Sequence, residues 1–254
     1  MAFMANASAP DLMIWTGPVW QGNLAGVKWA HPTDILTLSC VGSDNCANLA
    51  RNVASPRLEN ILRAHGVKPE AYNKIMLGSF SAGHGFCQTI LSDPPSLKVI
   101  DGFGAFDSYY CGNVACVKSG YLAMAQMAAD GERVMWTSSS SFPDQTRLSC
   151  DASIQALLAK LDLSHEELPG DLSQVLKAPE YCVRRGAFTH AGFAQKYAHA
   201  EHAKIIAPAV MQGWISPLLH GEPPASTWKI YAAVGAAVGV AALGMFALRK
   251  RARG

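Results

Sequence analysis

The chain has 254 residues, half of them hydrophobic and only 16% charged, with a formal net charge of +2. That length accommodates one sizeable domain with a well-buried core, and the low charged fraction suggests that some apolar sequence serves a membrane. Arg249, Lys250, Arg251 and Arg253 at the C-terminus more than account for the excess charge. The body therefore has no basic stripe with interleaved aromatics, which argues against nucleic acid as a partner.

Met1 to Pro10 carries no positive charge and no long apolar stretch, so it does not read as a secretory signal. Asp11 to Trp15 reads as a short buried strand ending in the turn Thr16-Gly17-Pro18. Trp20 and Trp29 add aromatic bulk to a long loop, and Ile35 to Val41 is a second buried strand followed by the turn cluster Gly42-Ser43-Asp44-Asn45. A helix is expected from Arg57 to His65, with Pro56 near its first turn and Gly66 at its end.

Lys74 to Phe86 is the most informative stretch. A short apolar run, Ile75 to Leu77, meets the small residues of Gly-Ser-Phe-Ser-Ala-Gly, and a helix-compatible segment, Cys87 to Leu91, follows. Strand, tight turn and helix in that order form a nucleophile elbow, with Ser81 at the tip. The usual pattern is Gly-x-Ser-x-Gly. Here Ser79 takes the first glycine's place and Gly83 keeps the second, which suffices because the turn needs small side chains where strand and helix nearly touch.

Beyond the elbow, Ser92 to Pro95 reads as a loop, Leu97 to Phe106 as an apolar run closing in Asp107, and residues 108–120 as an excursion over the sheet's edge. A helix from Tyr121 to Asp130 and a strand from Arg133 to Thr137 complete another unit. Ser138 to Asp144 then forms a loop, Asp151 to Leu161 a helix, and Ala187 to Phe193 a strand or loop. His199 to Leu219 reads as the domain's last helix, kinked or broken at Pro208. Strands alternating with helices predict an α/β fold, a doubly wound and mostly parallel sheet over residues 1–219.

Residues 220–227, rich in Pro, Gly and small polar residues, read as a linker. Ile230 to Leu248 is uncharged throughout, and nineteen residues at ~1.5 Å rise span about 28 Å, close to the roughly 30 Å of a bilayer's hydrocarbon core. Trp228 and Tyr231 stand at one end and the basic tail at the other, so residues 228–254 are expected to form a single-pass C-terminal anchor in a lipid bilayer. Gly235 and Gly239, four apart, would let two such helices pack as a homodimer. Orientation stays open: the basic tail favours the cytoplasm for the C-terminus, whereas the missing export signal favours a cytoplasmic domain.

A serine hydroxyl needs a base to take its proton and a third group to orient that base. Doubly wound hydrolases deliver the three in the order Ser, Asp or Glu, His. This chain offers Ser81, then Asp107 or Asp144, then His199, His202 or His190. Asp107 is preferred because it emerges directly from a strand end, and His199 because it opens a helix after a strand and loop. The N–H of Ala82 with an amide of Thr16 or Gly17 would form the oxyanion hole. No spacing among Cys40, Cys46, Cys87, Cys111, Cys116, Cys150 and Cys182 is Cys-x-x-Cys, and His199-x-x-His202 lacks a further ligand, so neither metal nor cofactor is expected. Cys40/Cys46 and Cys111/Cys116 could close small loops, but the odd count leans toward mostly free, buried thiols.

With Ser-Phe-Ser81-Ala-Gly-His-Gly, the strand-end Asp107 and His199 in Lys-Tyr-Ala-His-Ala-Glu-His, residues 10–219 resemble the α/β-hydrolase superfamily, in particular uncharacterised phage and bacterial members. The resemblance implies a serine hydrolase acting on an ester or amide by acyl transfer. The anchor adds the expectation of a substrate derived from a cell envelope. The reading from another class is a non-catalytic interaction protein that keeps the hydrolase scaffold on a membrane.

Overall fold

The structure, a computed structural model, describes residues 9–18, 24, 27, 29–111, 113, 115–140, 149–163, 181–193 and 199–222. Seven strands among them form one sheet: β1 (Asp11–Gly17), β2 (Thr33–Ser39), β3 (Ile75–Phe80), β4 (Gly102–Phe106), β5 (Val134–Ser140), β6 (Tyr181–Arg185) and β7 (Phe188–Phe193). The order is β2-β1-β3-β4-β5-β7-β6. All neighbours run parallel except β6 and β7, which form an antiparallel hairpin closed at Gly186, where φ is +56°.

Alternation along β1 shows how the two faces divide. Leu12 and Ile14 face the helices α1 (Ser43–Arg51), α2 (Arg57–Ala64), α3 (His84–Leu91), α5 (Ser119–Ala129) and α6 (Cys150–Lys160). Met13 and Trp15 face the other layer, made by Leu24, Val27 and Trp29 and by the C-terminal helix of residues 199–219. A strand buried on both faces reads as a continuous apolar run, which is why β1 and β3 were legible. The described residues between β1 and β2 thus pack on one face, and the helices α1, α2, α3, α5 and α6 between β2 and β6 on the other. The strand order reverses between β1 and β3, and ligands of open α/β sheets bind outside the strands' carboxyl ends at such a reversal. Ser81, directly after β3, stands there.

Several elements differ from expectation. The turn cluster at Ser43 is the start of α1, whose buried Cys46, Ala47 and Ala50 lie on one side of the helix. Pro94 opens a short helix, α4 (Pro94–Val99), inside what reads as loop and apolar run. Proline suits a first turn, where its missing N–H has no partner to lose. Serines 138–140 extend β5, because side chains at the end of a central strand find polar partners rather than water. The C-terminal helix is not broken at Pro208. Its backbone stays helical through the π-type stretches His202–Ile206 and Met211–Ile215, on either side of the α segment Ala207–Val210 that holds the proline.

Two disulfides, Cys40–Cys46 and Cys111–Cys116, correct the expectation of mostly free thiols; Cys87, Cys150 and Cys182 remain free and buried. The close loops bring each pair within bridging range, with Cα separations of 5.1 and 5.7 Å. The span Ile230 to Leu248 lies outside the described residues. Among those that are described, no helix is long and apolar enough to cross a membrane.

The elbow helix sits tightly on α1. A Cβ at Gly85 would lie 2.2 Å from the Ser43 carbonyl oxygen and 3.1 Å from the Ala47 nitrogen, both backbone atoms that cannot yield cheaply. Gly85→Ala should therefore destabilise the domain by about 1–3 kcal/mol, despite alanine's better helix propensity, as measured by urea unfolding.

Candidate active site

Ser81 opens a single 3-10 turn, Ser81–Gly83, between β3 and α3. Its φ of +51° is a left-handed conformation that a side-chain-bearing residue adopts at a cost, and such residues persist where their surroundings over-determine them. The surroundings here are specific. The Ser81 N–H donates to the Asp107 carbonyl at 3.2 Å. The Ser81 carbonyl accepts from the Ser108 hydroxyl at 3.0 Å and contacts His84 Nδ1 at 3.1 Å. Gly83 presses on β1 so closely that a Cβ there would meet the Thr16 carbonyl oxygen at 2.4 Å. The Thr16 hydroxyl donates beneath the turn, to the carbonyls of Gly78 at 3.3 Å and Gly83 at 3.4 Å. Thr16 is thus a footing of the elbow through its side chain, while Gly17 ends β1 beside it. Ser79, under the turn, is fully buried near Cys87 and Tyr121.

Asp107 follows the neighbouring strand β4 and shares the left-handed conformation, with φ +44°. Its side chain is 0% exposed, and both carboxylate oxygens are engaged. Oδ1 accepts from the Ser140 N–H at 2.8 Å; Oδ2 accepts from the Ser140 hydroxyl at 2.7 Å and from His199 Nδ1 at 2.6 Å. Burial by itself raises the Asp107 carboxyl, but the hydrogen bond from His199, the nearness of the His202 and His199 imidazoles and the bond from Ser140 outweigh it and hold the group below the ordinary carboxylate value. The acid is thus kept ionised in a dry place.

His199 opens the C-terminal helix with its side chain 31% exposed, so one edge of the ring meets solvent. The ring lies on Phe80, the residue before Ser81, with centroids 4.5 Å apart, and the Tyr110 hydroxyl approaches Nδ1 at 3.3 Å. An Nδ1–H given to Asp107 leaves Nε2 as the basic nitrogen, the tautomer a general base needs.

The other candidates have different places. His202, one turn further on, is fully buried and bonds through Nδ1 to the Ser138 hydroxyl at 3.0 Å. Burial pushes its imidazole down to about 4, so it stays neutral near pH 7 and ties the C-terminal helix to β5. His190 belongs to β7 and lies in a separate network, with Thr137 at 2.8 Å on Nδ1 and the Tyr181 hydroxyl at 3.1 Å on Nε2. The Tyr181 hydroxyl in turn bonds to Asp151. Neither histidine is bonded to Asp107, so both give way to His199 as its partner. Asp144 lies outside the described residues. Cys87 is no nucleophile: burial pushes its thiol up to about 12.

Sequence reasoning missed Ser140, Ser108 and Tyr110. The run of serines at the end of β5 was a visible signal. Its meaning depended on β5 lying beside β4, which the sequence does not state.

No protein-family model and no curated protein matches the chain. Among solved structures, the crystal structure of LpqC, a poly(3-hydroxybutyrate) depolymerase from Bordetella parapertussis, aligns with 89% of this chain and 84% of its own. The identity is 10% and the TM-score 0.46, a likeness too slight to bear on substrate or mechanism.

The place of His202 has a pH consequence. It releases its proton near 4 in the fold, against an ordinary value of 6.5. Between those values the unfolded chain takes up a proton that the folded chain refuses, so stability is complete above about pH 6.5 and declines as pH falls toward 4. The share due to His202 should be about 2 kcal/mol between pH 6.5 and 5, and urea unfolding of His202→Gln should lose that increment.

Proposed function

We propose that this chain is a serine hydrolase of the α/β-hydrolase type that cleaves an ester or amide through Ser81, His199 and Asp107. One observation carries the reading: the 2.6 Å bond from His199 to the buried Asp107, beside a serine held at φ +51° on the adjacent strand end. A histidine orienting on an ionised, desolvated carboxylate next to a strained hydroxyl is an expensive arrangement, and acyl transfer is the chemistry that uses all three parts.

In this mechanism His199 Nε2 takes the Ser81 proton as Oγ attacks the substrate carbonyl, and Asp107 stabilises the imidazolium that forms. The oxyanion is held by the N–H of Ala82, at the start of the elbow helix, and by an amide from the Thr16–Gly17 end of β1, which the close approach of Gly83 brings alongside. Protonated His199 then gives its proton to the leaving group. Water, activated by the same imidazole, cleaves the acyl-enzyme.

Residues 228–254 are assigned as a C-terminal membrane anchor on their sequence: an uncharged span of bilayer length between aromatic and basic flanks. That location makes an envelope lipid, cell-wall ester or peptidoglycan amide the substrate class to test first.

A fluorophosphonate probe should label the wild-type protein at Ser81 and leave Ser81→Ala unmodified. Asp107→Asn, which offers His199 the wrong partner, should label slower by a factor on the order of 10³–10⁴. Folded wild-type protein that takes up no label would overturn the reading. In cells, the full chain should sediment with membranes and resist alkaline carbonate, and deletion of residues 228–254 should release it. A full chain extracted by carbonate would remove the anchor.

A further inference from the structure

The serines that close β5 have divided roles. Strand alternation puts Ser138 and Ser140 on the face of the C-terminal helix and Ser139 on that of α6. Ser138 accordingly meets His202, Ser139 donates to Asp151 at 3.0 Å, and Ser140 meets Asp107.

We propose that Ser140 is a positioning residue of the relay, holding the Asp107 carboxylate in the plane from which it receives His199. The inference rests on the hydrolase reading above. A carboxylate on a short side chain would otherwise rotate about its terminal bond, a torsion with broad minima. Ser140 removes that freedom because it reaches both oxygens at once, the N–H at Oδ1 and the hydroxyl at Oδ2. One lone-pair direction of Oδ2 is then left for His199 Nδ1.

The clamp is built into the sheet rather than a loop. Phe106 is registered with Ser138, and the next residue, Asp107, donates its own N–H to the Ser138 carbonyl at 2.8 Å. The side chain of Ser140, two residues along β5, therefore arrives beside the carboxylate on the face that His199 occupies. Ser140 is 2% exposed, so no bulk water would replace its hydroxyl.

The charge balance gives the proposal a signature. Among the described residues, the titratable groups facing Asp107 and His199 are His202 on the C-terminal helix, Cys150 at the start of α6 and Tyr110 on the loop after β4. None belongs to β5. Without the Ser140 hydroxyl, the negative charge of Oδ2 is shared with one donor fewer. Both the carboxyl and the imidazolium beside it then hold their protons more tightly, and the pH below which the relay fails moves upward.

The test is the rate of fluorophosphonate labelling from pH 4 to 9 for wild type, Ser140→Ala and Ser140→Thr, with the His199 ring titration followed by NMR. Ser140→Ala should label roughly tenfold slower at neutral pH. Its acidic limb and the His199 titration should both move up, and Ser140→Thr, which keeps the hydroxyl, should restore both. Should Ser140→Ala not fold, Ser140→Cys, similar in volume but a weak donor, takes its place. Wild-type rate and limb in the variant overturn the proposal, as does a slower rate with an unmoved limb, which marks mere packing. If wild-type protein takes no label, the hydrolase reading fails, and the ring titration alone decides: moved in the variant it supports the clamp, unmoved it overturns it.

Discussion

An ionised carboxylate removed from water is costly unless its lone pairs are met, and the architecture around Asp107 meets them. Three donors converge on two oxygens, from a neighbouring strand and from a helix at the far end of the chain. Take away either source and the other is left with a buried, half-satisfied charge. This dependence fastens the C-terminal helix to the sheet at its carboxyl edge, and His202, bonded to Ser138 a turn later, fastens it again. The packing of Ala203, Ile206, Ala207, Val210 and Ile215 on Trp15, Met76 and Trp136 supplies the apolar area that stabilises the docking.

The same edge gathers the strained backbone. Ser81 and Asp107, two of the three non-glycine residues with positive φ among the described residues, occupy adjacent strand ends and are joined by a main-chain hydrogen bond. Each holds the other's unusual conformation in place. Small residues make this tolerable: Gly83 lets the elbow press against β1, and Gly85 lets its helix press against α1. The strand order reverses between β1 and β3, so Ser81 stands at the edge position where open α/β sheets bind their ligands. Fold and candidate site are thus parts of one construction, in which topology places Ser81 at the strand-order reversal and close packing holds its backbone.

Much of this was legible in the residues alone, for reasons that can be named. Buried parallel strands are apolar on both faces, so β1, β3 and β4 stood out as short apolar runs. The elbow was visible because a strand that turns sharply into a helix needs small residues at fixed offsets, and Ser-Phe-Ser-Ala-Gly keeps that spacing even with Ser79 for glycine. The misses share a cause as well. The first turn of α1 is built from Gly, Ser, Asp and Asn, which serve loops and helix starts alike. The serines ending β5 read as a loop because polarity within a buried strand reveals itself only through its partners. Pro208 read as a kink or a break, and of the two the break is excluded, because π-type turns on either side carry the helix past it.

By itself the sequence determined which residue types were available and in what order: a serine on a tight turn, acids after it, histidines near the end, and a bilayer-length apolar span with a basic tail. Those properties reside in composition, spacing and periodicity. Which acid meets which base was decided only by tertiary structure. Asp107 and His199 are 92 positions apart and pair because β4 ends beside β5 while the C-terminal helix returns across the sheet. His202 has the same chemistry three residues away, and packing faced it inward onto Ser138, where desolvation keeps it from holding a proton.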